Sequence, residues 1–402
     1  MTNMSSFLDA PVGRRVDPHE LPESSMRIFA AVSRPASQLC RLLTLAALAL
    51  ASAAAWAAPG ALVSKTLTQI PGNDTKSYAI ALQSDGKILT AGYAYLGTKQ
   101  FAITRYNADG TVDTGFADAG TRLEPLGATN SEAHAIGVQS TGKIVVGGFA
   151  VGSSSQFGIA RFNTDGSLDT SFGGGGALTS VGTDSGALAM AIQSDDKIVL
   201  AGWSTVSGTK VFALARYDAS SPTLDSTFGS GGVVIGSADA LDEQINGVAL
   251  QADGKIVAVG SYGSGNSNET TVRRYNADGS LDTSFGTSGT QFLTLMQDGH
   301  AVAVLANGSI LVAGEYGGAF TVARLTSAGT LDTTFGVNGY AQQGDGSSSG
   351  LGKAMQVQQD GKIVVAGTGG NGSASAIAIA RFNADGSNDT SFGNSGSTIV
   401  QF

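Results

Sequence analysis

The residues able to do chemistry in this chain recur rather than converge. An arginine returns six times, at Arg105, Arg161, Arg216, Arg274, Arg324 and Arg381, at spacings of 56, 55, 58, 50 and 57 residues. An aspartate follows each one: Asp113, Asp169, Asp225, Asp282, Asp332 and Asp389. A phenylalanine stands three residues further on every time, at Phe116, Phe172, Phe228, Phe285, Phe335 and Phe392. A lysine precedes each group (Lys87, Lys143, Lys197, Lys255 and Lys362), with Ser309 in its place in the fifth. Catalysis by a guanidinium or carboxylate would need one special copy. Six equal copies indicate a structural ion pair, since a buried charge must be partnered. Each arginine is therefore expected to reach the aspartate of its own unit, or the turn beside it.

A second pattern, Asn-x-Asp-Gly-x-x-Asp, runs through 107–113, 163–169, 276–282 and 383–389. Oxygen ligands at alternate positions around a glycine match part of a calcium loop. The leading aspartate and the closing glutamate are missing, which leaves too few oxygens for calcium. The same residues make an Asx-type turn, in which Asn and Asp bond their own backbone. The turn is the expectation, and no cofactor is assigned.

Other catalytic arrangements are missing. His134 and His300 read as isolated residues in different units and at different registers, so they suggest neither a metal site nor a triad. Gly173–Gly176 lacks the lysine and helix of a phosphate loop. The single cysteine, Cys40, precedes the mature region inferred below, which excludes thiol catalysis there. The chain reads as non-enzymatic.

The elements that carry these residues follow from the repeat, a unit of roughly 55 residues. Each unit opens on an alternating strand such as Ala79–Gln83. A turn follows, for example Asp85-Gly86 or Asp253-Gly254, and a type I′ hairpin is expected there because Asp-Gly tolerates positive φ. A short apolar run (IVVAG) and a third strand (FAIARYN) come next. The NADG turn then leads through LDTSFG to a fourth strand such as Gly232–Gly236. Four antiparallel strands per unit is the size of a propeller blade, and blades in a ring bury faces that no unit can bury alone. The expected fold is all-β: a β-propeller of six four-stranded blades, with a seven-bladed or imperfectly closed ring as the alternative. A fourth-type strand occurs once too often, because LVSKTL (62–67) precedes the first unit and STIVQF (397–402) ends the chain. One of them is expected to close the ring.

LQSDGKI (82–88), RRYNADGSLDTSFG (273–286) and ARFNADGSNDTSFG (380–393) closely resemble the bacterial delta-60 repeat. The resemblance spans about 61–402. It implies a propeller-like repeat in bacterial, often exported proteins, and brings no activity or catalytic residue with it. The sequence departs from the pattern at GFAD (115–118), at Asp195-Asp196, at DASSPTLD (218–225) and in the fifth unit's ANGSI and LTSAGTLD.

Residues 42–58 read LLTLAALALASAAAWAA, after Arg27, Arg34 and Arg41. Basic residues, an apolar core and small residues make a secretory signal, with cleavage expected after Ala57 or Ala58. The stretch is short and alanine-rich for a membrane span. Met26 is an alternative start. The expected division is 1–57 as extension and signal, and 58–402 as one propeller domain without a membrane span, secreted or held in the cell envelope. Of 23 Lys/Arg and 32 Asp/Glu, residues 1–59 hold five and four, leaving 18 against 28. An acidic surface of this kind repels nucleic acid.

A ligand is expected on the face where loops vary: 93–100, 149–156, 203–211, 261–269, 315–319 and 368–375. Tyr93, Phe149, Trp203, Tyr262 and Tyr316 begin or nearly begin five of these loops, and Tyr95 adds a sixth ring. They either pack between blades or form stacking platforms for a glycan or a basic peptide. Asp74, Asp184, Asp239, Asp242, Glu243, Glu269, Glu315 and Asp345 would edge such a face. Three roles compete: a binding or envelope-interaction module, a structural envelope repeat, and a polysaccharide-acting enzyme with its site at the propeller axis.

Overall fold

A computed structural model describes residues 66–401 except 128, 238–240, 264–267, 345–349 and 370–375, together with strand pieces at 27–29, 31–32 and 47–49. The signal stretch, apart from Ala47–Ala49, and Cys40 lie outside the described residues. So do Asp239, Asp345 and most of the last variable loop.

Each repeat folds into one antiparallel sheet whose strands lie side by side in chain order. Blade 1 comprises Thr75–Leu82, Ile88–Tyr95, Lys99–Tyr106 and Thr121–Glu124. Blade 2 comprises Asn130–Val138, Ile144–Val151, Ser155–Phe162 and Gly176–Thr179; blade 3 comprises Ser185–Ile192, Ile198–Val206, Thr209–Tyr217 and Val233–Ile235. Blade 4 comprises Asp242–Leu250, Ile256–Gly263, Glu269–Tyr275 and Thr290–Leu293. Blade 5 comprises Asp298–Val304, Ile310–Tyr316, Ala319–Leu325 and Tyr340–Gln343; blade 6 comprises Leu351–Val357, Ile363–Gly369, Ala376–Phe382 and Ser397–Gln401. The first strands of successive blades adjoin and form the inner wall. The architecture is a six-bladed β-propeller, and no helix occurs among the described residues.

The surplus strand has a plain resolution. Ser397–Gln401 pairs with Ala376–Phe382 and completes blade 6 from its own repeat. Thr66–Leu67 pairs in parallel with Ala31–Val32, outside the blades. Neither strand is seen to join the two terminal blades, and there is no seventh blade among the described residues.

The hairpin turns differ from the type I′ expectation. The N–H of Gln83 bonds the carbonyl of Lys87, and Gly86 N–H bonds the carbonyl of Gln83. Three residues therefore intervene, and φ is positive only at the third: 80–83° at Gly86, Gly142, Gly254, Gly308 and Gly361. This is a type I turn closed by a left-handed residue. Asp196 takes that place in blade 3 with φ of 63°, which aspartate tolerates. The NADG turns have the same form. Asp109 Oδ1 accepts from Thr111 N–H at 2.9 Å, and Asn107 Nδ2 donates to the Thr111 hydroxyl at 3.0 Å. The oxygens of the calcium-like pattern are engaged in making the turn.

The second strands are buried because both of their faces meet neighbours. Leu89, Ala91, Phe101 and Ile103 of blade 1 pack on Ile144, Val146, Ala160 and Phe162 of blade 2. Comparable clusters fill the next four seams. At roughly 25 cal/mol per Å², this apolar area drives the stacking.

The Arg/Asp couple locks each seam. Every arginine donates from Nε to the aspartate of its own unit at 2.7–2.8 Å. The same aspartate accepts the turn lysine in five blades, at 2.7–3.1 Å. The guanidinium lies over the repeat's phenylalanine, 4.3–4.7 Å from the ring centre. Its Nη1 then crosses to the next blade and donates to a carbonyl of that blade's second turn: Thr164, Ala219, Ala277, Ser327 or Ala384. The residue after the phenylalanine crosses too. Ala117, Gly229, Gly286 and Gly336 donate N–H to the carbonyls of Asp165, Asp278, Ala328 and Asp385. The next blade's turn glycine leaves room for the ring: a Cβ on Gly166, Gly279, Gly329 or Gly386 would run into Phe116, Phe228, Phe285 or Phe335. The pair is thus a blade-to-blade clamp as well as a contact within one unit.

Two outcomes are expected. Arg161→Ala should lower unfolding free energy by about 3–5 kcal/mol in urea titration, because it strands Asp169. Arg324→Ala should cost less. Its side chain and that of Asp332 are 18% and 21% exposed, against 7% and 6% for Arg161 and Asp169, and Ser309 supplies no lysine. Equal losses, or none, would refute the clamp. The second outcome concerns acid. Burial raises the Asp169 carboxyl, but hydrogen bonds from Ser171, Lys143 and Arg161 overcome it and hold the pKa down to about 2. A depressed carboxylate stabilises above its unfolded pKa, and that contribution is lost as pH falls from about 4 toward 2. The urea midpoint should drop steeply across that window; a flat midpoint would contradict the assignment.

Candidate functional site

The inner strands carry a feature built by glycine. In every blade the register slips by one residue midway along the first strand, which makes a β-bulge. Opposite each bulge is a second-strand glycine: Gly92, Gly148, Gly202, Gly260, Gly314 or Gly367. A Cβ there would strike the backbone carbonyl of Lys76, Glu132, Gly186, Gln244, Asp298 or Leu351. Close backbone approach is why glycine recurs in this strand.

The extra residue of each bulge is, in blade order, Tyr78, His134, Leu188, Asn246, His300 and Lys353. His134 and His300 therefore share one register, contrary to the sequence reading. Each stands nine residues before its hairpin position, Lys143 or Ser309. Two residues before the bulge the copies carry Lys76, Glu132, Gly186, Gln244, Asp298 and Leu351. Just after it they carry Ala79, Ala135, Ala189, Gly247, Ala301 and Ala354. Variation is concentrated on the upper inner wall, at the end of the axis reached by the variable loops.

Two polar groups form there. In blades 1 and 2, Tyr78 stacks on His134 with ring centres 4.2 Å apart, and Phe149 lies 5.2 Å from the imidazole. Glu132 accepts from Tyr78 Oη at 3.3 Å and from Lys99 Nζ at 2.5 Å. Burial would raise its pKa, but His134 and Lys99 outweigh that and bring it to about 2. Burial and the Glu132 charge push the Tyr78 phenol up. In blades 4 to 6, Arg273 pairs with buried Glu243 at 2.5 Å. Asn246 donates to the Gly299 carbonyl at 2.9 Å, and Lys353 Nζ meets His300 Nε2 at 2.6 Å.

The six loop aromatics do not share one surface. Tyr93, Phe149 and Trp203 occupy one register of the second strand; Tyr262 and Tyr316 stand one residue further along, which puts them on the opposite sheet face. Tyr93 is buried, donates to Asp74 at 2.8 Å and lies under Lys99 Nζ at 4.3 Å. Trp203 is half-buried beneath Lys210 Nζ at 4.3 Å. Tyr262 meets Phe292 edge-on at 5.5 Å. Tyr95 and Tyr316 are exposed. Only Tyr93 and Phe149 join the group around Tyr78 and His134.

The expected acidic rim has another use. Asp184 accepts from Ser155 N–H at 2.7 Å, and Asp242 accepts from Lys210 N–H at 2.9 Å. Asn130 does the same for Lys99 at 2.9 Å. Each ties the start of a first strand to the loop of the preceding blade. Glu269 is half-buried at the start of a third strand. Glu315 is half-buried, and burial raises its pKa. Among the described residues no group of three or more His, Cys, Asp or Glu is placed to hold a metal.

The bulge generates its own prediction. Gly148→Ala should destabilise the protein by about 1–3 kcal/mol through overpacking, and should displace the His134 ring. Unchanged thermal unfolding would mean that the bulge tolerates a side chain opposite it.

The family model described as Domain of unknown function (DUF5122) beta-propeller matches residues 83–116, 139–172, 193–228, 251–285, 305–335 and 358–392, just over half of the chain. Each match runs from the hairpin turn to the clamp phenylalanine or its vicinity. No curated protein matches the chain in sequence. Solved structures similar in fold include a protein of unknown function from Dyadobacter fermentans, with a TM-score of 0.46 and 10% identity, covering 76% of this chain and 94% of that one. The PQQ-bound aldose sugar dehydrogenase of Streptomyces coelicolor has a TM-score of 0.45 and 13% identity, over 75% and 93%. The polysaccharide lyase Uly1 has a TM-score of 0.43 and 11% identity, over 77% and 78%. Likeness at this level carries no argument about chemistry. On the six matched stretches, the chain is a member of the DUF5122 beta-propeller family.

Proposed function

We propose that this protein is an exported, non-enzymatic binding module of the cell envelope that holds a glycan at the axial mouth of its propeller. One observation carries the reading. At two inner-wall positions, six otherwise similar repeats carry five and six different residue types, while the wall just past the bulge stays small. A uniform scaffold with variation confined to one rim suits recognition. The Tyr78, His134 and Phe149 stack offers flat ring faces, and Glu132 and Lys99 beside it offer oriented polar groups. Rings flanked by hydrogen-bonding groups fit a sugar. A basic peptide fits less well, since Glu243, Asp184 and Asp242 are engaged within the protein. Export rests on the signal-like residues 42–58, and the acidic balance of the mature region disfavours nucleic acid.

A second reading has one observation in its favour. Glu132, on the first strand of blade 2, is held at about 2, and Glu315, on the second strand of blade 5, is raised. A polysaccharide-acting enzyme would use such a difference.

The test is calorimetric titration of the protein with envelope polysaccharides, for the parent and for Tyr78→Ala, Phe149→Ala and Tyr262→Ala. Tyr78→Ala and Phe149→Ala should weaken binding several-fold, and Tyr262→Ala should not. Equal effects in all three would remove the axial site. Release of shortened sugars during the titration would favour the enzyme.

A further inference from the structure

Nine lysines are described between residues 76 and 362, and eight of them pair with a carboxylate or lie over a ring. Lys87, Lys143, Lys197, Lys255 and Lys362 pair with the clamp aspartates, and Lys99 pairs with Glu132. Lys76 and Lys210 lie over Tyr93 and Trp203. Lys353 differs. It is the extra residue of its bulge, half-buried, with its Nζ 2.6 Å from His300 Nε2. At that distance one nitrogen must offer a lone pair, so ammonium and imidazolium cannot both be present.

Burial works against the charged form of both groups. Burial first, then the Lys353 charge, brings His300 down to about 3. Burial lowers Lys353 as well, against the pull of Glu315 and Asp298. Glu315 Oε2 is buried with no hydrogen-bond partner among the described residues. The amine and the imidazole come from the inner strands of blades 6 and 5, and the Glu315 carboxyl from the second strand of blade 5. A desolvated lysine beside a neutral base is the arrangement that makes an amine nucleophilic.

We propose that Lys353 is a nucleophilic amine at the axial mouth that captures an aldehyde- or ketone-bearing ligand as an imine. The amine lone pair attacks the carbonyl carbon, a C–N bond forms, and the C=O electron pair moves to oxygen. His300 carries the two nitrogen protons to oxygen in turn, the first making the hydroxyl and the second releasing it as water as the C–O bond breaks. Water leaves and C=N remains, so one amine and one carbonyl give one imine and one water. With the amine uncharged, the Lys353 charge no longer adds to the burial that lowers His300. This step goes beyond glycan recognition and does not depend on it, because it requires only a free carbonyl.

The test is reductive labelling of the whole protein with glycolaldehyde and cyanoborohydride at neutral pH, stopped early and mapped by mass spectrometry. Cyanoborohydride traps the imine as a secondary amine. Lys353 should be labelled several-fold ahead of Lys76 and Lys210. His300→Gln should slow Lys353 several-fold and leave Lys76 and Lys210 unchanged, with thermal unfolding preserved. Labelling of Lys353 no faster than the other two in the parent protein would overturn the proposal without recourse to any variant. Loss of glycan binding in Tyr78→Ala with Lys353 labelling intact would separate this site from the glycan reading.

Discussion

A guanidinium that cannot return to water organises this molecule. Once its arginine is buried in a seam, every face of the group has to be met, and the repeat supplies the partners in order. An aspartate comes from the same unit, a ring lies beneath it, and a carbonyl comes from the following unit. Truncating one member of such a set leaves the others buried and uncompensated. The same geometry explains why turn, arginine, aspartate and phenylalanine keep their offsets while the loops between them do not. It also gives the stack a direction, since blades 1 to 5 donate forward and blades 2 to 6 accept from behind.

Much of the architecture is legible in the sequence because it is written six times. Repetition reveals blade number, strand order and the clamp residues, since noise in one copy is outvoted by the rest. The clamp's second half is harder to read. That Arg161 reaches Ala219 depends on how blades stack, and the accepting atom is a backbone carbonyl with no signature of its own. The turn type was misread for a local reason. Asp-Gly suits two related turns, and only the pairing of Gln83 with Lys87 separates them.

The inner-wall residues escaped notice for a different reason. A bulge adds one residue, so the polar positions fall out of step with strict alternation and look irregular. Measured from the hairpin, His134 and His300 align at once. The glycine of each second strand was visible in every copy and was the available signal, since an interior glycine in a strand marks a close backbone approach. The aromatic ring of platforms failed on parity. Tyr93 and Tyr262 differ by one position in register, and one position is a change of face.

The bulge glycines also separate two kinds of selection. They fix the backbone path of the inner strand by contacts that involve no side chain of the residue they face. Tyr, His, Leu, Asn and Lys all occupy the same backbone slot in different copies. Such a slot accepts new chemistry at little cost to folding, whereas the clamp admits almost none. Inherited change in this lineage can therefore run at two speeds, slow at the turn face and fast at the mouth. A duplicated blade would arrive with its forward contacts already matched and its mouth position free to diverge. The molecule is thus a rack of interchangeable sockets, and new specificities can be explored one socket at a time.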